Sequence, residues 1–320
     1  MPGQAPPAVS VVIATHNRPQ AVGRLLDAVA RQTLRDIEIV VVDDGSEREA
    51  LDALAATVAG LGPRFRLLRN DVPQGPSAAR NRGVEASNGR FVTFCDDDDL
   101  WTRDDHLACA VAALDQGGLD LFFGEMAKIG AGEAAAGLWF EPVLKHGGAR
   151  RLAGGDDLYL IDAYRLADFL NHRILHANTL VIRRALFAAV GGYWEKIRFA
   201  EDHDFALRLA AAAGWAAFRS TAVAQIDVSP HPSLSRRFDP REQLLMTITA
   251  VMHAESLIAR PDFRRVARRN RAYRLAELAA LDLAQGDVAR ARAFSWQALC
   301  LNPSRGALLM MARAWSGRSR

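Results

Sequence analysis

Phe91 to Trp101 reads FVTFCDDDDLW, an apolar segment of strand type that empties directly into four consecutive aspartates. Folding alone does not ask for such an ending. Four like charges on about 14 Å of extended chain repel one another, and closing a buried strand with them costs stability unless a cation or a hydrogen-bond network compensates. A divalent metal is the fitting compensator, because hard oxygen ligands suit Mg2+ or Mn2+ and such ions bridge protein carboxylates to the phosphates of a nucleotide. The competing reading is an acidic surface turn that also caps the following helix.

Upstream of this run, Val9 to Thr15 (VSVVIAT) is a β-branched segment that ends at the turn residues His16-Asn17-Arg18-Pro19, and it reads as a buried strand. Pro19 suits the first turn of a helix that carries Val22, Leu25, Leu26, Val29 and Ala30 at helical spacing. Ile37 to Val42 is a second strand, ending at Asp43-Asp44-Gly45-Ser46, with a helix from about Glu47 to Ala59 and a short strand at Phe65 to Leu68. After the loop Asn70 to Pro76, Ser77 to Ala86 reads as helix, and Asn88-Gly89 turns the chain into the strand at Phe91. Strands alternating with helices at this spacing imply an α/β protein with a parallel sheet and crossover helices.

Ligands of such sheets sit beyond the C-terminal ends of the strands. The strand ends Thr15 to Asn17, Asp43-Asp44 and Asp96 to Asp99 therefore share one crevice. Arg80, on the helix after Gln74-Gly75-Pro76-Ser77, supplies a positive charge that suits a diphosphate or a neighbouring carboxylate. The chain has no G-x-x-x-x-G-K-[ST] loop and no G-x-G-x-x-G after its first strand, which argues against an ATPase or a dinucleotide oxidoreductase.

At 320 residues, 50% hydrophobic and 24% charged, the chain has room for one full domain and a smaller appendage. Cys95, Cys109 and Cys300 are widely spaced and follow no metal-ligand pattern, so a reducing cytoplasm is expected. Met1 to Ala8 has no basic region and no apolar core, so no signal peptide is expected, and no segment reaches the roughly 18 to 20 apolar residues of a membrane span. Net charge is +3, yet residues 241–320 hold 14 Arg against 6 Asp plus Glu. The tail carries no zinc-finger, basic-zipper or aromatic single-strand motif, so a nucleic-acid partner is not expected. A face for anionic lipid headgroups and a merely solvated helical face both fit its charge.

VSVVIATHNRP (Val9 to Pro19), IEIVVVDDGS (Ile37 to Ser46), QGPSAARNRGVEASNG (Gln74 to Gly89) and FVTFCDDDDLW together resemble the successive motifs of the family 2 glycosyltransferases of GT-A fold. The likeness continues through Gly191-Gly192-Tyr193, the acidic pair Glu201-Asp202 and His231 to Arg236, so it covers about residues 8 to 238 in the family's order. It implies a Rossmann-like, mostly parallel sheet flanked by helices over residues 1–238, with a nucleotide-sugar half to about residue 120 and an acceptor half at 121–238. A helical extension at 239–320 completes the chain.

By the same resemblance, Asp44 hydrogen-bonds the nucleotide base and Thr15, His16 and Asn17 line the base and ribose pocket. Asp96 or Asp97 faces the ribose, and Asp98 is the metal ligand with Asp99 beside it. His231 completes coordination of Mn2+ or Mg2+; on its residues alone it reads as a surface or packing histidine between prolines. Because all four residues of the run are aspartate, their register stays open. Asp202, with Glu201, is the general base of an inverting transfer, although acids at a helix N-terminus also cap free N–H groups. The implied donors are UDP, dTDP or GDP sugars, and the implied acceptor is a surface glycan or a lipid-linked saccharide. A non-catalytic nucleotide-sugar-binding protein acting through its tail is the alternative. A sugar nucleotidyltransferase lacks support, since no Gly-rich triphosphate loop followed by Lys-Pro is present.

Between the motifs, Gly124 to Asn178 reads as a long Gly- and Ala-rich loop region in which Trp139 stacks on a sugar face or packs in the core. Past Pro240 the pattern is helical almost throughout, and Leu275 to Pro303, with its turn at Gly286-Asp287, looks like one tetratricopeptide-type hairpin. That tail reads as a cap on the catalytic domain, a homodimer contact or an element held near a membrane.

Overall fold

The computed structural model describes residues 5–97, 100–130, 137–140, 149–153, 155–170, 175–227 and 238–316. Each β-branched run of the N-terminal part is a strand: β1 (Val9–Thr15), β2 (Ile37–Asp44), β3 (Phe65–Asn70) and β4 (Phe91–Asp96). These four are parallel, in the order β3-β2-β1-β4. Val11, Val12 and Ile13 of β1 and Ile39 to Val42 of β2 are fully buried, as expected of central strands covered on both faces. The crossovers are α1 (Pro19–Ala30), α2 (Arg48–Ala59) and α3 (Pro76–Glu85), with a proline in the first turn of α1 and of α3. Gly83 lets α3 lie directly on the sheet, because a Cβ there would overlap Val12 Cγ1.

The chain continues through β5 (Leu100–Trp101), α4 (His106–Gly117), β6 (Leu121–Ile129), β7 (Arg150–Arg151), β8 (Leu158–Asp162), α5 (Ala163–Phe169) and a 3-10 turn at Ala177–Thr179. It then forms β9 (Leu180–Arg183), α6 (Arg184–Ala189), α7 (Glu201–Ala213) and β10 (Trp215–Asp227). The described strands make one ten-stranded sheet of order β3-β2-β1-β4-β9-β6-β10-β8-β7, with β5 paired to β10. β9 runs antiparallel between β4 and β6, whereas β10 is parallel to β6.

Residues 124–178 are therefore not one long loop, since they supply most of β6 together with β8 and α5. Glu125 interrupts the apolar pattern of β6, and its buried carboxylate is accommodated by accepting from the amides of Met126 (2.8 Å) and Phe140 (2.6 Å).

The tail folds as α8 (Pro240–Leu257), α9 (Pro261–Ala284), α10 (Val288–Leu301) and α11 (Arg305–Ser316). Asp239 and Glu242 form a reciprocal capping box at the start of α8. Ala279, Leu283, Ala291, Met310 and Ala314 make one apolar cluster of these helices, and Ile248, Leu275, Leu278 and Ala298 make another. Packing divides the chain into two units, the first comprising residues 1–165, 175–195 and 212–230, the second residues 166–174, 196–211 and 231–320. The first contains the whole sheet. No described helix is long and apolar enough to cross a membrane.

Candidate active site

Strand register assembles the crevice of the first unit. Thr15 lies opposite Asp43, Ala14 opposite Asp96 and Asp44 opposite Asn70, so the three strand ends lie along one edge of the sheet. The turn after β1 is docked onto the turn after β2 by the residues expected to line the base pocket. Asn17, at φ 57°, donates its amide to Ser46 Oγ (2.8 Å), and its Oδ1 accepts from the Glu47 amide (2.8 Å). His16 donates from Nδ1 to the Asp44 carbonyl oxygen at 2.8 Å, which fixes that tautomer. Asp44 is buried and accepts from Asn70 Nδ2 (2.6 Å) and from the amides of Gln74 (2.9 Å) and Gly75 (2.8 Å), so it suspends the loop that precedes α3.

Charge at the end of β4 is answered from two sides. Asp97 accepts from Thr15 Oγ1 at 2.8 Å and pairs with Arg18 at 3.0 Å. Arg80 is almost wholly buried, pairs with Asp96 and lies 5.0 Å over the ring of Tyr193, whose ring in turn meets Phe94 edge-on. Asn81 holds that arrangement by accepting from the Tyr193 amide (2.9 Å) and donating to its carbonyl (2.9 Å). Gly192, at φ 66°, makes room, since a Cβ there would lie 2.7 Å from Asn81 Oδ1. The Gly-Gly-Tyr turn thus serves to seat an aromatic floor under Arg80.

Asp98, Asp99 and His231, the expected metal ligands, lie outside the described residues. Among the described residues no cluster of three or more metal-ligating side chains occurs. Asp96 is about a third exposed and, among the described residues, is engaged through Oδ1, and carboxylate oxygen is the donor type that Mg2+ or Mn2+ favours. The described residues fit a divalent ion in that sense.

In the second unit, Glu201 and Asp202 occupy the first turn of α7, which starts at Glu201. Ala200 precedes them at φ 66°, and its carbonyl accepts from the amides of His203 (3.1 Å) and Asp204 (3.4 Å). Left-handed backbone costs a residue with a Cβ about 1–2 kcal/mol. Asn17 and Ala200 are the described non-glycine residues that adopt it, and each abuts residues singled out from the sequence for binding or catalysis. Asp204 anchors the helix through a buried pair with Arg208 and a 2.6 Å bond to His253 Nδ1.

Arg18, Asn70, Asn81 and Tyr193 are participants that sequence reasoning did not assign, and Glu125 is a buried strand acid that it also passed over. For Glu125 the readable sign is a lone acid in an apolar run, and for Arg18 a cation at the end of β1 matched to excess aspartate at the end of β4. Trp139 is neither fully buried nor stacked on an open surface: its ring meets His176 edge-on at 5.0 Å, with Lys128 Nζ 5.6 Å from its centroid. Its neighbour Phe140 is the buried aromatic, packed on Phe123 and Phe218.

Residues 10–168 match the family model described as glycosyl transferase family 2. A PGL/p-HBAD biosynthesis glycosyltransferase of Mycobacterium tuberculosis is 31% identical over 204 residues, covering 64% of this chain and 70% of that protein. The succinoglycan biosynthesis protein ExoO of Rhizobium meliloti is 35% identical over 116 residues, 36% of this chain and 32% of that one. Among solved structures, S. aureus TarS 1-349 in complex with UDP-GlcNAc superposes with a TM-score of 0.63 at 17% identity, covering 97% of this chain and 92% of that one. The mannosyltransferase PcManGT from Pyrobaculum calidifontis, in complex with GDP-Man and Mn2+, gives 0.59 at 19% identity, covering 98% and 82%. Sequence kinship and sheet architecture agree, and the chain belongs to the family 2 glycosyltransferases, as a catalytic glycosyltransferase of GT-A fold.

Proposed function

We propose that the strand-end edge binds a nucleoside-diphosphate sugar and that the protein passes the sugar, with inversion, to a hydroxyl of a surface glycan or lipid-linked saccharide at the cytoplasmic face of the membrane. The observation that carries this reading is the meeting of Asp96 and Asp97 with Arg80, Arg18 and Thr15 beside the two nucleotide-side turns. Thr15, His16, Asn17 and Asp44 frame the base and ribose, Asp96 and Asp97 face the ribose, and Arg80 lends its charge to the diphosphate. Asp202 removes the proton of the acceptor hydroxyl as its oxygen bonds to the anomeric carbon, and the bond from that carbon to the phosphate oxygen breaks on the opposite side. Glu201 stands beside Asp202 in the first turn of α7 as the other member of the acidic pair. Asp98, Asp99 and His231 are the residues to hold Mn2+ or Mg2+, whose chemistry there is to absorb charge developing on the leaving diphosphate.

UDP, dTDP and GDP remain the candidate carriers, with the UDP-GlcNAc and GDP-Man complexes of the two structural neighbours favouring the first and last. A thermal-shift panel of UDP, dTDP and GDP with and without Mn2+ tests the reading. One nucleotide is expected to raise Tm only when Mn2+ is present. If none does, the donor site is elsewhere or absent.

A further inference from the structure

The last helical hairpin, α10 and α11, carries features that the transfer reaction does not use. Residues 288–320 contain six arginines and no acidic residue. Ala307, Met310 and Ala314 turn one face of α11 inward, which leaves Leu308, Leu309 and Trp315 on the outside at 50%, 53% and 60% exposure. On α10, Trp296 is 56% exposed, one turn from Arg292, whose guanidinium sits 5.3 Å over the Trp315 ring and donates to the Trp315 carbonyl (3.1 Å). Arg305 and Arg313 are exposed at the two ends of α11. Next to Leu309 and Arg313 a cleft of about 640 Å³ opens between α9 and α11, with Arg269 and Tyr273 on its far wall and Ala272, Ala276 and Met310 among its lining.

We infer that this hairpin is a docking surface for an anionic lipid bilayer. Two exposed tryptophans and two exposed leucines, interleaved with cations on helices whose own sequence from residue 288 onward holds no acid, match both parts of such an interface. The aromatic and aliphatic groups enter the headgroup boundary while the arginines stay among the lipid phosphates. A second copy of the chain fits less well, because a two-fold contact centred on Leu308, Leu309 and Trp315 would bring Arg305 and Arg313 of both copies together, while the acids nearby, Glu277 and Asp287, are already paired with Arg274 and Arg290. The inference stands apart from the proposed donor chemistry and fails or survives independently of it.

The test uses the full chain and two kinds of vesicle, phosphatidylcholine alone and an equimolar mixture with phosphatidylglycerol. Co-sedimentation with the mixed vesicles is expected, with a blue shift of tryptophan fluorescence and release at high salt. The double variant Arg305→Gln/Arg313→Gln is expected to weaken binding roughly tenfold or more. Leu308→Ser/Leu309→Ser/Trp315→Ser should abolish it while leaving the Tm unchanged, which separates lost docking from lost folding. Failure to bind mixed vesicles, equal binding to both kinds, or burial of Trp315 in a lipid-free dimer each overturns the inference.

Discussion

The sheet edge at the ends of β1, β2 and β4 and the hairpin α10–α11 carry charge in opposite ways. At the edge, each described aspartate of the β4 run meets an arginine from a different element, Arg18 for Asp97 and Arg80 for Asp96. On the hairpin, Arg305 and Arg313 face outward in a stretch of sequence without one acid to meet them. Charge answered within the fold suits the proposed site for a small ligand of mixed sign, which can trade partners inside it. Charge left over in one sign marks a surface completed by something large and external.

That contrast is open to measurement. Asp202→Asn carries the largest expected effect: transfer should fall about 10²- to 10⁴-fold in kcat, with nucleotide affinity unchanged by calorimetry. A variant that transfers normally removes Asp202 as the base. Next comes Arg80→Met, which leaves Asp96 without its cation and Tyr193 without its stacked partner. Because Asp96 is partly solvated, the cost belongs near or below the lower end for a broken ion pair, about 2–3 kcal/mol in urea unfolding, accompanied by weaker donor binding.

His106 extends the test from arginines to a buried titratable group. It meets Trp101 edge-on and Phe122 at a tilt, has no described hydrogen-bond partner for either ring nitrogen, and is pushed down to about 3 by burial. Unfolded histidine titrates near 6.5, so between about pH 6.5 and 3 the unfolded chain binds a proton that the folded chain refuses, and stability falls as pH falls. Comparing unfolding at about pH 7.5 and 4.5, His106→Phe should reduce that loss by about 2–3 kcal/mol. An equal loss in both proteins means the acid sensitivity lies elsewhere. Smallest of all, Arg313→Gln should leave unfolding unchanged; if it destabilised the chain as Arg80→Met does, the distinction between the two regions would collapse.

Much of the fold was legible because its central strands are local, nearly unbroken β-branched runs, and each run ended where a polar turn began. What escaped reading depends on distant partners. Asp97 meets Thr15 across 82 positions, and Glu125 is tolerable inside β6 only because the Phe140 amide arrives from 15 residues away. The antiparallel insertion of β9 between β4 and β6 leaves no local pattern, since a four-residue strand looks alike in any neighbour order. A positive φ at an alanine is likewise invisible in sequence, so the left-handed turn of Ala200 before α7 had to come from the backbone. The strand-end residues of the candidate site were readable as a set, whereas Asn81 and Tyr193 became visible only through the contacts they make.

Asp44 holds its loop partly by main-chain atoms, the amides of Gln74 and Gly75. Any residue but proline offers such an amide, so the path of the loop is largely independent of the side chains it displays at Asp71, Val72 and Gln74, all of them exposed. Mutation can redecorate that loop without unhooking it. On a scaffold of this kind, a change of ligand preference is cheapest to evolve at those positions, while substitutions at Asp44 cost the loop itself.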